Sequence, residues 1–340
     1  MNDQLVVLPE KLQGWYKIEK FLGPQEDGIL LETYEFPNLI VNSGLDFMCT
    51  TNGPWGATSA GGFYRCSVGT NNTAPAAGQT LLLGGVGSTI TKVDLGHTYV
   101  PGATPYVQRA VQYDFAVGDI VANIAEIGIG PGTYAVTSLM SRALVLDGGG
   151  SPTVVSVLVT ESLRVTYYLR NYIVTTDTAG VVTIGGINYN YVVRAAGWNN
   201  LTWTGTGIPF PGGWNSNTGG TDAGGVFTGH NLTSAGVTGT GVLGAFSTQT
   251  LATIDLLPAV TGGAVGCGTA APQTYTSGDY YRDSIITIGL TEANTLTGGI
   301  GSIVYGGYFG LYQMNFTPKL PKTALNAFAL RLRISLSNYP

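Results

Sequence analysis

Charge is what this sequence has least of. Its 340 residues carry 15 lysines and arginines and 20 aspartates and glutamates, 10% of the chain, where a soluble domain usually has about 25%. So thin a charge cover makes a sticky free surface, and much of it is expected to be covered by other subunits. The formal net charge of −5 leaves no basic stripe to neutralise phosphates, which excludes nucleic acid as a partner. Histidine is scarcer still. His97 and His230 belong to no HExxH or other metal-ligand pair, and each sits in a polar stretch, so both read as satisfied surface residues. Cys49, Cys66 and Cys267 are odd in number and lack CxxC spacing, which suits buried free thiols better than a zinc site. There is no GxxxxGK[ST], and Gly128-Ile129-Gly130-Pro131-Gly132 fails as a nucleotide loop because Pro131 interrupts it and no helix pattern follows. The apolar runs are too short or too broken by glycine to span a bilayer, and the N-terminus lacks the basic start and apolar core of a signal peptide. The expectation is a non-enzyme with no catalytic residues, no cofactor, no metal and no membrane insertion.

What the chain does have is glycine, 51 residues, and apolar side chains, 44%, arranged in short alternating runs. In Ser162 to Tyr172, SLRVTYYLRNY, the side chains of Leu163, Val165, Tyr167 and Leu169 fall on one side and Arg164, Thr166, Tyr168 and Arg170 on the other. This is the period-2 pattern of a strand with one buried and one wet face. FALRLRISLSNY, Phe328 to Tyr339, repeats it, with Leu330, Leu332, Ile334 and Leu336 inward and Arg331 and Arg333 outward. Upstream of each copy lie a strand, a turn, a second strand and a proline-containing turn. The expected fold is all-β: two β-sandwich-like units over residues 38–175 and 176–340, with an N-terminal arm over 1–37 and little helix.

The arm stands apart by composition, since ten of the chain's charged residues fall within residues 1 to 36. Trp15, Ile18, Phe21 and Leu30 give it an apolar stripe around a turn at Gly23-Pro24, and its charge discourages unwanted edge pairing. It is expected to dock on the first β unit or, as its charge favours, across a neighbouring copy, and to be dispensable for folding. Ile124 and Ile127 are out of phase, predicting a bulge near Ala125-Glu126. After Tyr172, turns are predicted at Ala179-Gly180 and at Gly185-Gly186. Residues 195–254 then form an insert whose only charge is Asp222. With Trp198, Trp203, Phe210, Trp214, Phe227 and Phe246 it reads as an ordered, loop-rich patch pressed on a neighbour, because aromatics favour interface cores.

Taken in order, NLIVNSGL from Asn38, VGTNNTAP from Val68, NIAEIGIG from Asn123, SRALVL from Ser141 and the Pro321-Lys322-Thr323 turn before the last strand resemble the recurring pieces of a family of tailed-bacteriophage virion proteins, the tail and tail-fibre components. The resemblance covers most of residues 38 to 340 and lies in the order of the pieces. It implies a structural component of the virion, in the tail, partnered with copies of itself and with other virion proteins. The alternatives are a receptor- or glycan-binding tail fibre, whose partner is a host surface glycan, and a capsid decoration protein. The interface candidates are Trp15 and Phe21 in the arm and Trp198, Trp203, Phe210, Trp214 and Phe227 in the insert. Arg164, Arg170, Arg331 and Arg333 complete the set, as an ion-pairing surface that orients the next subunit. One carboxylate pair, Asp279 and Asp283, has the spacing to share a strand face. The Tyr280, Tyr281 and Arg282 side chains between them suit a structural network better than a hydrolase.

Overall fold

A computed structural model describes residues 5–49, 63–131, 139–184, 186–196, 242–251, 263–265, 268–307 and 310–339. It is nearly all β, 58% strand against 3% helix, in large antiparallel sheets of sandwich or barrel type, as the alternating pattern requires. Two compact units emerge. The N-terminal unit comprises Lys11–Val100, Tyr106–Tyr172 and Ser337–Pro340; the C-terminal unit comprises Met1–Glu10, Pro101–Pro105 and Ile173–Leu336.

In the N-terminal unit the strands are β1 (Leu5–Leu22, of which Lys11 onward belongs here), β2 (Ile29–Ile40), β3 (Arg65–Gly69), β4 (Gly85–Thr89), β5 (Lys92–Val100), β6 (Tyr106–Phe115), β7 (Ala122–Ile124), β8 (Glu126–Gly130), β9 (Ser141–Leu144), β10 (Val155–Val157) and β11 (Glu161–Tyr172). One layer runs β2-β1-β11-β6-β5. The other runs β9-β8-β3-β4, and β2 passes from the first to the second by pairing Leu39 and Ile40 with β9. The inward side chains of the first layer, among them Tyr16, Ile18, Phe36, Tyr113, Val165 and Tyr167, are buried, as are Cys66, Val68, Ile127 and Ile129 of the second. Glu126–Gly130 is buried at every residue, so both its faces are covered. The short helix α1 (Asn42–Cys49) follows β2. The phase slip at Ala125 is a change of ladder: Ala122–Ile124 pairs with β10 while Glu126 onward pairs with β3 and β9, and the Ala125 amide donates to Gly69 O.

The arm is not an appendage. β1 from Lys11 lies between β2 and β11, paired with β11 from Lys11↔Tyr172 to Leu22↔Glu161, so these residues are an interior strand. Lys17 and Glu19 lie on the wet face and pair with each other at 2.7 Å, while Tyr16 and Ile18 on the other face are fully buried and Lys20 beyond them is buried in an ion pair. Gly14 sits opposite Asn38, where an added Cβ would fall 1.8 Å from the Asn38 amide oxygen; the glycine makes room for a side chain inside the sheet. Gly23 takes the positive φ of 85° that turns β1 toward β2, a conformation glycine adopts without strain.

In the C-terminal unit, β12 (Thr178–Ile184), β13 (Ile187–Ala196), β19 (Gly310–Leu320), β18 (Ile300–Gly307), β14 (Val242–Phe246) and β15 (Gly263–Val265) form one sheet in that order. β16 (Thr269–Pro272), β17 (Tyr281–Ile288) and β20 (Phe328–Asn338) form a second ladder. Phe316 of β19 meets Phe328 of β20 edge-on at 6.0 Å, and Leu330, Leu332, Ile334 and Leu336 are buried. The turn expected at Ala179-Gly180 is absent, because Thr178–Ile184 continues straight through and pairs with β13 up to Ile184↔Ile187. The insert's far end is a strand of this sheet: Phe246 is buried in β14, paired with β15 and β18.

Candidate functional site

The wet face of β1, β11 and β6 gathers four of the interface candidates. Register places Gln13, Arg170 and Gln108 in one row, and Glu19, Arg164 and Asp114 in another. The Arg170 guanidinium lies 4.9 Å from the Trp15 ring centroid and 5.0 Å from that of Tyr106, and its Nε donates to Gln108 Oε1 at 2.9 Å. The Tyr172 hydroxyl donates to Gln13 Oε1 at 2.7 Å, and its ring stacks on Tyr339 at 3.8 Å. Arg164 forks onto Asp114, with Nε to Oδ1 at 2.7 Å and Nη2 to Oδ2 at 3.0 Å, which raises the arginine's already high pKa. Phe21 lies beneath Arg164 and is buried, so it is not the exposed contact expected of it.

In the C-terminal unit Arg331 and Arg333 converge on one carboxylate. Asp283, opposite Arg333 in the ladder, accepts from Arg333 Nε at 2.8 Å and Nη2 at 2.9 Å, and from Arg331 Nε at 3.0 Å and Nη2 at 2.5 Å. Burial pushes this carboxyl up, but the hydrogen bonds from Arg333 and then Arg331 outweigh it and hold its pKa below the usual carboxylate value. Arg333 also covers the Tyr281 ring at 3.4 Å. All four arginines are thus engaged by acceptors or rings of their own chain. Within the chain they form a set of cross-strand braces. Trp198, Trp203, Phe210, Trp214 and Phe227 lie outside the described residues, as do His230 and Cys267; His97 falls on β5.

Several buried polar groups are held by partners within their own chain. Glu126 and Arg142, both wholly inaccessible, pair at 2.8 Å, and the carboxylate also accepts the Gly84 and Leu83 amides while Gln79 accepts from Arg142. Burial raises the Tyr16 and Tyr113 phenols and the Cys66 thiol, so these stay protonated. The Tyr16 hydroxyl is spent on Ser141 Oγ at 2.8 Å and that of Tyr113 donates to Phe63 O. Sequence reading passed over the Glu126–Arg142 pair, although a charge inside the apolar runs EIGIG and SRAL in so charge-poor a chain is the signal for a buried partner.

A different surface stands out at the end of the N-terminal unit where β1 turns into β2. Three turns meet there: the Gly23 amide donates to Thr160 O, Gln25 Nε2 to Phe115 O, and the Gly118 amide to Glu161 O. They carry Leu22, Ile29, Leu30, Leu31, Val117, Leu158 and Val159, every one exposed, with Ile29 and Val159 each at 65%. The charges within these turns are all acidic, Glu26, Asp27 and Asp119, and Glu32 and Glu161 lie at the start of the strands beside them. Lys20, just below, is buried against Glu32 at 2.8 Å and Glu161 at 3.7 Å. Isolated surface aliphatics need no explanation, but a contiguous group marks a contact site.

Comparison of the chain with protein-family models, curated proteins and solved structures finds no match. Among the described residues no cluster of three or more His, Cys, Asp or Glu side chains could hold a metal, and no helix is long and apolar enough to cross a membrane.

Proposed function

We propose that this chain is a structural subunit of a tailed-bacteriophage particle, placed in the tail, that assembles with copies of itself. The phage assignment is supported by the ordered sequence pieces from Asn38 to Thr323. The assembly role rests on one observation, the exposed aliphatic end of the N-terminal unit in a chain that is otherwise so weakly charged. The reading as a glycan-binding fibre draws on Trp198, Trp203 and Trp214. Three aromatic rings of the described wet face are occupied instead: Arg170 covers Trp15 and Tyr106, and Tyr339 covers Tyr172. Light scattering on the purified chain over a concentration series tests the assembly role: the mass should rise in multiples of the 35.4 kDa chain. A monomer that persists at high concentration overturns it. Antibody labelling of intact particles should place the protein on the tail, and absence of label from purified virions defeats the phage assignment.

A further inference from the structure

This inference rests on the assembly role proposed above and names the contact. The acidic character of the aliphatic end argues against two copies meeting there face to face, since that would set Glu26 and Asp27, both exposed, against their own copies. The occupant should be apolar and free of acids. The loop between β19 and β20 has this chemistry. From Thr317 to Ala327 the chain reads TPKLPKTALNA, with two lysines and no acid. At its apex Leu325 is 93% exposed, the most exposed large apolar side chain among the described residues. Nothing about the loop is slack. The Thr323 amide donates to Asn326 Oδ1 at 2.6 Å, Asn326 Nδ2 to Pro321 O at 2.8 Å, and Lys322 Nζ to Asn294 Oδ1 at 2.8 Å. The loop therefore presents leucine at low entropic cost to a partner, and Lys319 beside it supplies positive charge.

We infer that the β19–β20 loop of one copy docks through Leu325 onto the acidic aliphatic end, around Ile29, Leu158 and Val159, of a second copy. Such a contact joins two different patches, so it is head-to-tail and propagates into a ring or a filament.

The test uses the full chain and two single variants at exposed positions, Val159→Asp and Leu325→Asp, with Ile29→Asp as a second end variant and a melting curve to establish that each is folded. Losing an apolar anchor at an interface centre weakens association by about tenfold or more, so each variant alone should stay monomeric at concentrations where the parent assembles. An equimolar mixture of Val159→Asp and Leu325→Asp retains one intact end and one intact loop, and should form a dimer that grows no further. The inference is overturned if the parent assembles and the folded variants assemble equally well, or if the mixture remains monomeric. A parent that never assembles defeats the assembly role itself, which is a separate outcome.

Discussion

In β11 the inward side chains Leu163, Val165, Tyr167 and Leu169 are fully buried, and the strand is paired along its length with β1 on one side and β6 on the other. In β20 the corresponding Leu330, Leu332, Ile334 and Leu336 retain between 2% and 6% exposure, and the strand is flanked in its sheet by β17, whose ladder ends at Tyr281↔Ser335, and by β1. The outward arginines differ in the same sense. Each arginine of β11 has its own acceptor, Asp114 for Arg164 and Gln108 for Arg170, whereas Arg331 and Arg333 share the one carboxylate of Asp283. Two strands of nearly identical pattern thus differ in how completely their inward side chains are enclosed and in which groups their arginines meet. Alternation tells which face is inward, but the number and chemistry of the neighbours come from elsewhere in the chain.

The comparison is broken most severely by removing a neighbour. Deleting residues 1 to 36 takes away β1 and most of β2, leaving β11 with an open edge and Tyr167 without Tyr16 at 5.0 Å. The N-terminal unit should then fail to fold, seen as loss of its melting transition; a truncated chain with the parental transition would show that β1 is dispensable after all. Smaller, and more discriminating, are core truncations in the two strands. Leu169→Ala and Leu332→Ala should each cost about 2–5 kcal/mol by lost transfer energy plus cavity, with Leu169→Ala the larger because its site is fully enclosed. Denaturant titration of both variants gives the order directly, and equal costs would mean the difference in burial carries no energetic weight.

Next come the arginine acceptors. The Asp283 side chain is 5% exposed and serves two guanidinium groups, while Asp114 is 20% exposed and serves one. Asp283→Asn should cost about 1.5–3 kcal/mol, the range for hydrogen bonds to charged groups, and Asp114→Asn about 1 kcal/mol or less, as for a partly solvated pair. A reversed order in thermal unfolding would sink the idea of Asp283 as the shared brace. The smallest effect is in pH dependence. Asp283 is held below its ordinary pKa, so its contribution is present above the unfolded-state value of about 3.9 and is lost as pH falls through the lower folded value. Between about pH 5 and pH 2 the parent should therefore lose more stability than Asp283→Asn. Parallel stability curves over that window would show that the carboxylate's shift contributes nothing measurable.

Much of the strand content could be read directly. The inward faces of β11 and β20 follow from period-2 alternation because one face of each is packed and the other is wet, and the slip at Ala125, expected as a bulge, is where the chain changes ladder. The candidate site was less legible. Arg164, Arg170, Arg331 and Arg333 were placed on the correct face, yet their acceptors Asp114, Gln108 and Asp283 lie on other strands, and register is set by tertiary pairing. The aliphatic end had a local signal, since Ile29-Leu30-Leu31 and Leu158-Val159 are consecutive apolar residues that break alternation where no strand could bury both faces.

By itself the sequence determined that the chain is β, which face of β11 and β20 is apolar, and that its few charges must be used sparingly. Local sterics and burial set those properties, and they act over a handful of residues. Only the tertiary structure decided that the charged N-terminal segment is an interior strand, that Glu126 and Arg142 neutralise one another out of water, and that Tyr339 stacks on Tyr172. Period-2 patterning fixes which side of a strand faces inward and leaves its neighbours open; those are chosen by the whole set of strands competing to cover one another's apolar faces and to satisfy one another's backbone and buried charge.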